Sequence, residues 1–420
     1  MYNSDRPLTD RLHDELGLAA VADAVAARII DLQPEDGLVV GLQSPWGMGK
    51  STFLNFLTQK IEEEPSTIVV RFAPWLVDDR NALLHELFAE MSRSIEPREK
   101  KKSQRWDVAE RRQRQATANR LRQFARIADR LKSLPELPHL SWVKDALNLP
   151  VARETGAITG FIVSCAAAFK PKDETLRELK QDIATRLILL KQKIIIIIDD
   201  VDRLDLSEAK EVFRLIRAVA DFPNTTYIVA FDREPIGFDL DHEADIGRSY
   251  LDKIVQVPLV LPKPEPVDLR RILTKALMGD QGRLGVVGRP LRQTNNPYRS
   301  DSEAQRVAGV IDALVRTYLN SPRRIGIINN VMMTLWPDVS DDVDLSDYLV
   351  HLCLVNFDRP LARWVDDYLA VRSTRHRRGS DPSRTAALRS RLDDILDSAQ
   401  QHREDRLMIL RSILPSIRGY

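Results

Sequence analysis

At 420 residues, with 43% hydrophobic and 29% charged residues, the chain has the composition of a globular protein long enough for two or three domains. A net charge of +1 excludes recruitment of an acidic partner by global electrostatics, although local charge runs keep their own meaning. Two cysteines, Cys165 and Cys353, exclude a disulfide framework; with no Zn-ligand spacing and no apolar signal core in MYNSDRPLTD, the reading is a cytoplasmic protein without disulfide or structural metal.

Residues 1–34 read as an N-terminal helical segment. Residues 36–43 (DGLVVGLQ) read as a short buried strand, and residues 51–60 (STFLNFLTQK) place Phe53, Leu54, Phe56 and Leu57 at helical spacing. Between them lies SPWGMGKST, residues 44–52, a phosphate-binding loop of the G-x-x-x-x-G-K-[ST] type in which Ser44 stands where the first glycine belongs. Backbone N–H groups of such a loop wrap a polyphosphate at a helix N-terminus, whose dipole favours the anion. The expected binding set is Ser44, Pro45, Trp46, Gly47, Met48, Gly49, Lys50, Ser51 and Thr52, with Lys50 on the β- and γ-phosphates and Ser51 on Mg²⁺. Ser44 sits at the strand-to-loop turn, where a small side chain fits outside the phosphate cradle.

Residues 66–75 (STIVVRFAPW) read as a second strand and residues 81–95 as an amphipathic helix, so the pattern is β-α-β-α with a parallel sheet. The pattern then breaks, and residues 96–180 read as a helical insertion. Within it, residues 98–132, which open on Arg98 and close on Lys132, carry 13 basic and 4 acidic residues. This stripe is either a partner surface, nucleic acid included, or a solvated face; Trp106 and Phe124 are its only aromatic residues for base stacking. Residues 156–169 are apolar, but 14 residues at about 1.5 Å each span about 21 Å against a hydrocarbon core of about 30 Å, so no membrane crossing is expected.

The β-α pattern resumes at residues 193–200 (KIIIIIDD), where unbroken isoleucine predicts a central strand covered on both faces. Asp199 at its end is placed to hold the metal and Asp200 to orient a lytic water. Arg203 follows in the same turn, and Asp232 ends the next strand, residues 225–232; each suits γ-phosphate sensing, subunit contact or a surface ion pair. A fifth strand is expected at residues 254–259, and beyond Pro262 only helical patterns remain. The core is thus residues 35–262 and the helical lid or partner domain residues 263–420.

Several segments together carry a family resemblance: PWGMGKST, the strand ending in DDVDRL, FAPW, YLDKIVQVPLVLP, SPRRIGIINN and the opening NSDRPLTDRLHDELG. Taken in chain order and spread over residues 5–335, they resemble the KAP family of P-loop NTPases. The resemblance implies a three-layer α/β sandwich on a parallel five-stranded sheet, a helical insertion that in relatives carries membrane helices, and a C-terminal all-helical domain. It also implies ATP with Mg²⁺ as ligand, hydrolysis, and Arg323 and Arg324 as lid arginines. The implied role is a nucleotide-dependent switch acting with other subunits, its own copies or products of neighbouring genes, in antiviral defence. A nucleic-acid motor and an ATP-binding scaffold without turnover are the alternatives.

Overall fold

A computed structural model describes residues 6–32, 34–77, 83–96, 107–132, 176–219, 221–233, 251–278, 301–378, 382–397 and 402–414. The apolar segment 156–169, Trp106 and Cys165 lie outside the described residues. The chain forms two compact units, one built on Leu8–Trp46 and Lys50–Pro262, the other chiefly on Lys263–Tyr420.

In the first unit, β1 (Leu38–Gln43), β2 (Thr67–Phe72), β3 (Lys193–Ile198), β4 (Thr225–Phe231) and β5 (Val257–Val260) form one sheet. Every pairing is parallel and the order is β2-β3-β4-β1-β5, so β4 is inserted between the first and third strands of the chain. The isoleucines of β3 explain why a run without alternation is needed here. Ile194, Ile196 and Ile198 enter the core on one face with Val70, Tyr227 and Val229, while Ile195 and Ile197 enter the other with Val40, Leu42 and Ile228. A strand covered on both sides has no polar face to keep, and each buried isoleucine contributes about 1.5–3 kcal/mol.

Helices α1 (Leu18–Asp31) and α2 (Lys50–Glu62) cover the second of these faces through Ala22, Ala26, Ile29, Phe53, Phe56, Leu57 and Ile61. The first face is covered by α3 (Leu83–Ile95), α4 (Val108–Lys132), α5 (Leu176–Leu189) and α6 (Leu206–Val219). Both described helices at the ends of the expected insertion therefore belong to the core layer: Leu121 and Phe124 of α4 and Leu179, Ile183 and Leu187 of α5 are buried with the strands. Arg114, one of the basic residues of 98–132, belongs to neither a partner surface nor a solvated face. It is buried, and donates to the Ile95 carbonyl at 3.3 Å and to the Gln192 side chain. Arg120 pairs with Asp182 at 2.8 Å and Arg122 pairs with Glu96, while Arg111 and Arg112 are exposed. Phe124 is no stacking platform either, because its ring lies 4.5 Å from that of Phe88 in the core.

Strand ends differ from expectation where local chemistry intervenes. Pro74 starts a 3₁₀ turn, Pro74–Leu76, that ends β2 at Phe72. A second turn, Leu251–Lys253, delays β5 and turns Val255 into the core, where its Cγ1 would lie 2.8 Å from any Cβ at position 41. Glycine at 41, mid-strand in β1, is required by that approach.

The described elements of the second unit are all helices: α7 (Pro266–Met278), α8 (Asp301–Thr317), α9 (Pro322–Val339), α10 (Leu345–Phe357), α11 (Arg359–Arg378), α12 (Pro382–Asp397) and α13 (Arg403–Ile413). Its apolar core holds Leu314, Ile328, Met332, Leu349, Trp364 and Leu410. One buried polar network is set in it: Asp358, 5% exposed, accepts from Tyr318 Oη at 2.8 Å and from Arg406 Nε at 2.8 Å.

Candidate nucleotide site

In a parallel α/β sheet, ligands bind beyond the carboxyl ends of the strands, where neighbouring connections diverge. Here β1 and β4 end in register, with Gln43 opposite Phe231, and β3 ends two residues short of them, with Ile198 opposite Val229. The segments leaving these three ends are the glycine loop, the D-D-V-D-R turn and Asp232.

The loop opens with Ser44, whose N–H bonds to the Phe231 carbonyl at 3.3 Å and which is buried, its hydroxyl making no hydrogen bond. Gly47 and Gly49 have φ of +84° and +95°, a region open to glycine and strained for other residues, so the two glycines permit the turn into α2. Met48 is buried and Trp46 is exposed. At the head of α2 the buried Lys50 donates from Nζ to the Ser44 carbonyl at 2.8 Å and approaches the Pro45 carbonyl at 3.4 Å. Ser51, next in α2, lies near the Asp199 carboxyl and favours its ionised form. Thr52 is used differently: its Oγ1 accepts the Leu8 N–H at 3.1 Å, tying the N-terminal segment to α2. That segment is fastened further by Arg11, which pairs with Asp23 at 2.8 Å and donates to the Phe56 carbonyl at 3.0 Å.

After β3, Asp199 accepts the Asp200 N–H at 2.8 Å. Burial nevertheless outweighs this bond and the nearby Ser51, and holds the Asp199 carboxyl above the usual carboxylate range. Asp200 adopts a left-handed conformation, φ 61° and ψ 28°, and introduces a 3₁₀ turn, Val201–Arg203, that buries Val201. Its Oδ1 pairs with Arg203 Nε at 2.8 Å, and the Arg203 guanidinium lies over the Trp75 ring at 4.9 Å. Asp232 meets the loop through Oδ2, which accepts the Trp46 N–H at 3.2 Å.

Asp202 is the residue that motif reading passes over. Its Oδ2 lies 2.7 Å from Lys50 Nζ, and its Oδ1 accepts the Asp232 N–H at 2.6 Å. The available signal was the presence of three acids in D-D-V-D-R where a metal ligand and a water-positioning group account for two. Arg323 and Arg324 start α9 in the helical unit, where Ser321 caps the helix. Arg324 donates to the Tyr318 carbonyl at 3.0 Å and lies 5.0 Å over the Phe357 ring, so its guanidinium is engaged within that unit.

A glycine-turned loop at a helix head, between strands of a parallel sheet in this order and facing a strand that ends in two aspartates, defines the P-loop NTPase class. The KAP family P-loop domain matches residues 18–334, and the chain belongs to that family. The "Phage T7 exclusion protein" of Escherichia coli (strain K12) is 28% identical over 390 residues, which cover 88% of this chain and 48% of the relative; the chain thus spans about half the length of that protein. Among solved structures, the Aeropyrum pernix ORC1 protein in complex with DNA aligns with 91% of this chain and 83% of its own at 14% identity, with a TM-score of 0.28. Among the described residues, no helix is long and apolar enough to cross a membrane.

Proposed function

We propose that the protein is a Mg²⁺-dependent ATPase that works as a nucleotide switch. The observation that carries this reading is the packing of the loop against the acidic turn after β3: Lys50 Nζ lies 2.7 Å from Asp202 Oδ2 and Ser51 lies near the Asp199 carboxyl, so the end of the loop motif and the acids that follow the strand share one site. A hydroxyl and a carboxylate are hard oxygen ligands suited to Mg²⁺, and a half-buried carboxylate whose ionised form desolvation disfavours gains from a cation there. When bound, Mg²⁺ would neutralise charge on the phosphate oxygens. The chain's own groups do the rest. The loop N–H groups and the α2 N-terminus cradle the phosphates, and Lys50 donates to the β- and γ-phosphates. Asp200 orients the attacking water, while Arg203 and Trp75 fix the Asp200 carboxylate; Asp232 holds the loop from β4.

The relative's name extends the proposal to exclusion of phage, with ATP binding and hydrolysis switching contacts to partner subunits. Calorimetry and phosphate release test the core of it. ATP binding and Mg²⁺-dependent release are expected of the full chain, and Lys50→Ala should weaken binding by about 10- to 150-fold, the worth of a hydrogen bond to a charged group. No binding at millimolar ATP, or unchanged affinity in Lys50→Ala, would end the assignment. Light scattering with a non-hydrolysable ATP analogue tests the switch through a change of mass, and plating of phage on cells carrying Lys50→Ala tests the biological role.

A further inference from the structure

We propose that Asp202 competes with nucleotide phosphates for Lys50, and so sets how readily the site takes up and releases nucleotide. The inference rests on the ATPase reading and assigns a residue that the phosphate-loop motif does not contain.

An ammonium group has three N–H donors and no acceptor. In Lys50 these are directed at Asp202 Oδ2 (2.7 Å), the Ser44 carbonyl (2.8 Å) and the Pro45 carbonyl (3.4 Å). The first is the charged contact, and the Lys50 and Asp202 side chains are only 8% and 11% exposed, so solvent screens the pair little. Asp202 is not a passing neighbour. The left-handed Asp200 and the turn after it send Val201 into the core and Asp202 toward the loop, and the Asp232 N–H pins its second oxygen at 2.6 Å. Asp232 in turn accepts from Trp46 N–H, so one chain of contacts links Lys50, Asp202, β4 and the loop backbone.

A phosphate oxygen that engages Lys50 meets this carboxylate. Either the phosphate takes the donor that Asp202 holds, or two anions share one ammonium at short range; both outcomes subtract from nucleotide affinity. The same carboxylate then supplies a partner for Lys50 when phosphate leaves, so the lysine is not abandoned as a buried unpaired charge. A switch gains from that arrangement, because exchange is not limited by a lysine that only phosphate can satisfy.

The test is calorimetry and nucleotide dissociation kinetics on the full chain with Mg²⁺ and either ADP or a non-hydrolysable ATP analogue. The proteins are wild type, Asp202→Asn and the smaller neutral Asp202→Ser, whose hydroxyl can still accept a hydrogen bond. Expected are an affinity gain of about tenfold or more in either neutral variant, slower dissociation, and a lower melting temperature without nucleotide that saturating nucleotide restores. Two neutral substitutions of different size guard against one of them failing to fold. Wild-type binding with equal or weaker affinity in whichever variant is folded would overturn this role and leave Asp202 a strut of the loop. Absence of binding by wild type and variants alike would overturn the ATPase reading, and this inference with it.

Discussion

Asp200→Asn separates hydrolysis from stability, and its consequences can be worked from the turn that holds the residue. The substitution removes one charge and keeps size and shape. On the stability side it loses an ion pair to Arg203 whose side chains are 26% and 54% exposed, worth about 0.2–1 kcal/mol at that exposure. It adds no backbone strain, because asparagine tolerates the left-handed φ of 61° as aspartate does, whereas alanine there would cost a further ~1–2 kcal/mol. The melting temperature should therefore move by no more than about 2–4 °C. ATP affinity should also hold, since Lys50, Ser51 and Asp199 are untouched. Turnover should fall by about 2–4 kcal/mol, roughly 30- to 1,000-fold, the range for a group that positions a reacting water or steadies developing charge. Phosphate release under saturating ATP and Mg²⁺, with a thermal melt on the same sample, reads both quantities. Release within about threefold of wild type would remove Asp200 from the mechanism, because losing a positioned group costs far more.

Further outcomes follow from burial and charge. Asp199→Asn should raise the melting temperature of the nucleotide-free protein: desolvation holds the Asp199 carboxyl above its usual range, so its ionised form is a cost at neutral pH. The same variant should lose the Mg²⁺ dependence of nucleotide binding, read by calorimetry with and without a chelator. Asp358→Ala should cost about 3–5 kcal/mol in urea titration, as it strands the buried Arg406 guanidinium and the Tyr318 hydroxyl. Arg114→Glu should destabilise by about 3 kcal/mol or more, while reversal of the exposed Arg112 should stay within about 0.5 kcal/mol; equal melts would mean that Arg114 is not buried against Ile95. Gly41→Ala should cost about 1–3 kcal/mol by forcing Val255 aside, measured by the same titration.

The sheet was legible because its signals are local. A run of five isoleucines cannot alternate, so it announces burial on both faces, and the lysine and serine after the glycines of the loop mark a helix head whatever follows. The role of α4 was harder to read, because charge counting averages over the helix. Arg114, Thr117, Ala118, Leu121, Phe124 and Ala125 recur at helical spacing, and all are buried. That stripe was present in the sequence, but thirteen basic residues obscured it, and a long arginine can enter a core when its guanidinium finds partners. Asp202 was hidden for a different reason. Its partner Lys50 lies on another element, and only the pairing of β1 with β4 and of β4 with β3 brings the two together. The commitment of Thr52 to the Leu8 backbone is equally non-local, and the motif alone would assign that hydroxyl to phosphate.

The place of β4 between β1 and β3 has a consequence during synthesis. β1 pairs only with β4 and β5, so Leu38 waits for Thr226 and Val40 for Val257, while β2 waits for β3. At about 5–20 residues per second, the strand that carries the glycine loop emerges roughly 10–40 s before its first neighbour exists. Until then its apolar residues have α1 and α2 to pack against but no sheet to join. The nucleotide site is consequently among the last features of the first unit to close, and a ribosome-bound chain that ends before β3 presents two unpaired apolar strands to whatever chaperones attend it.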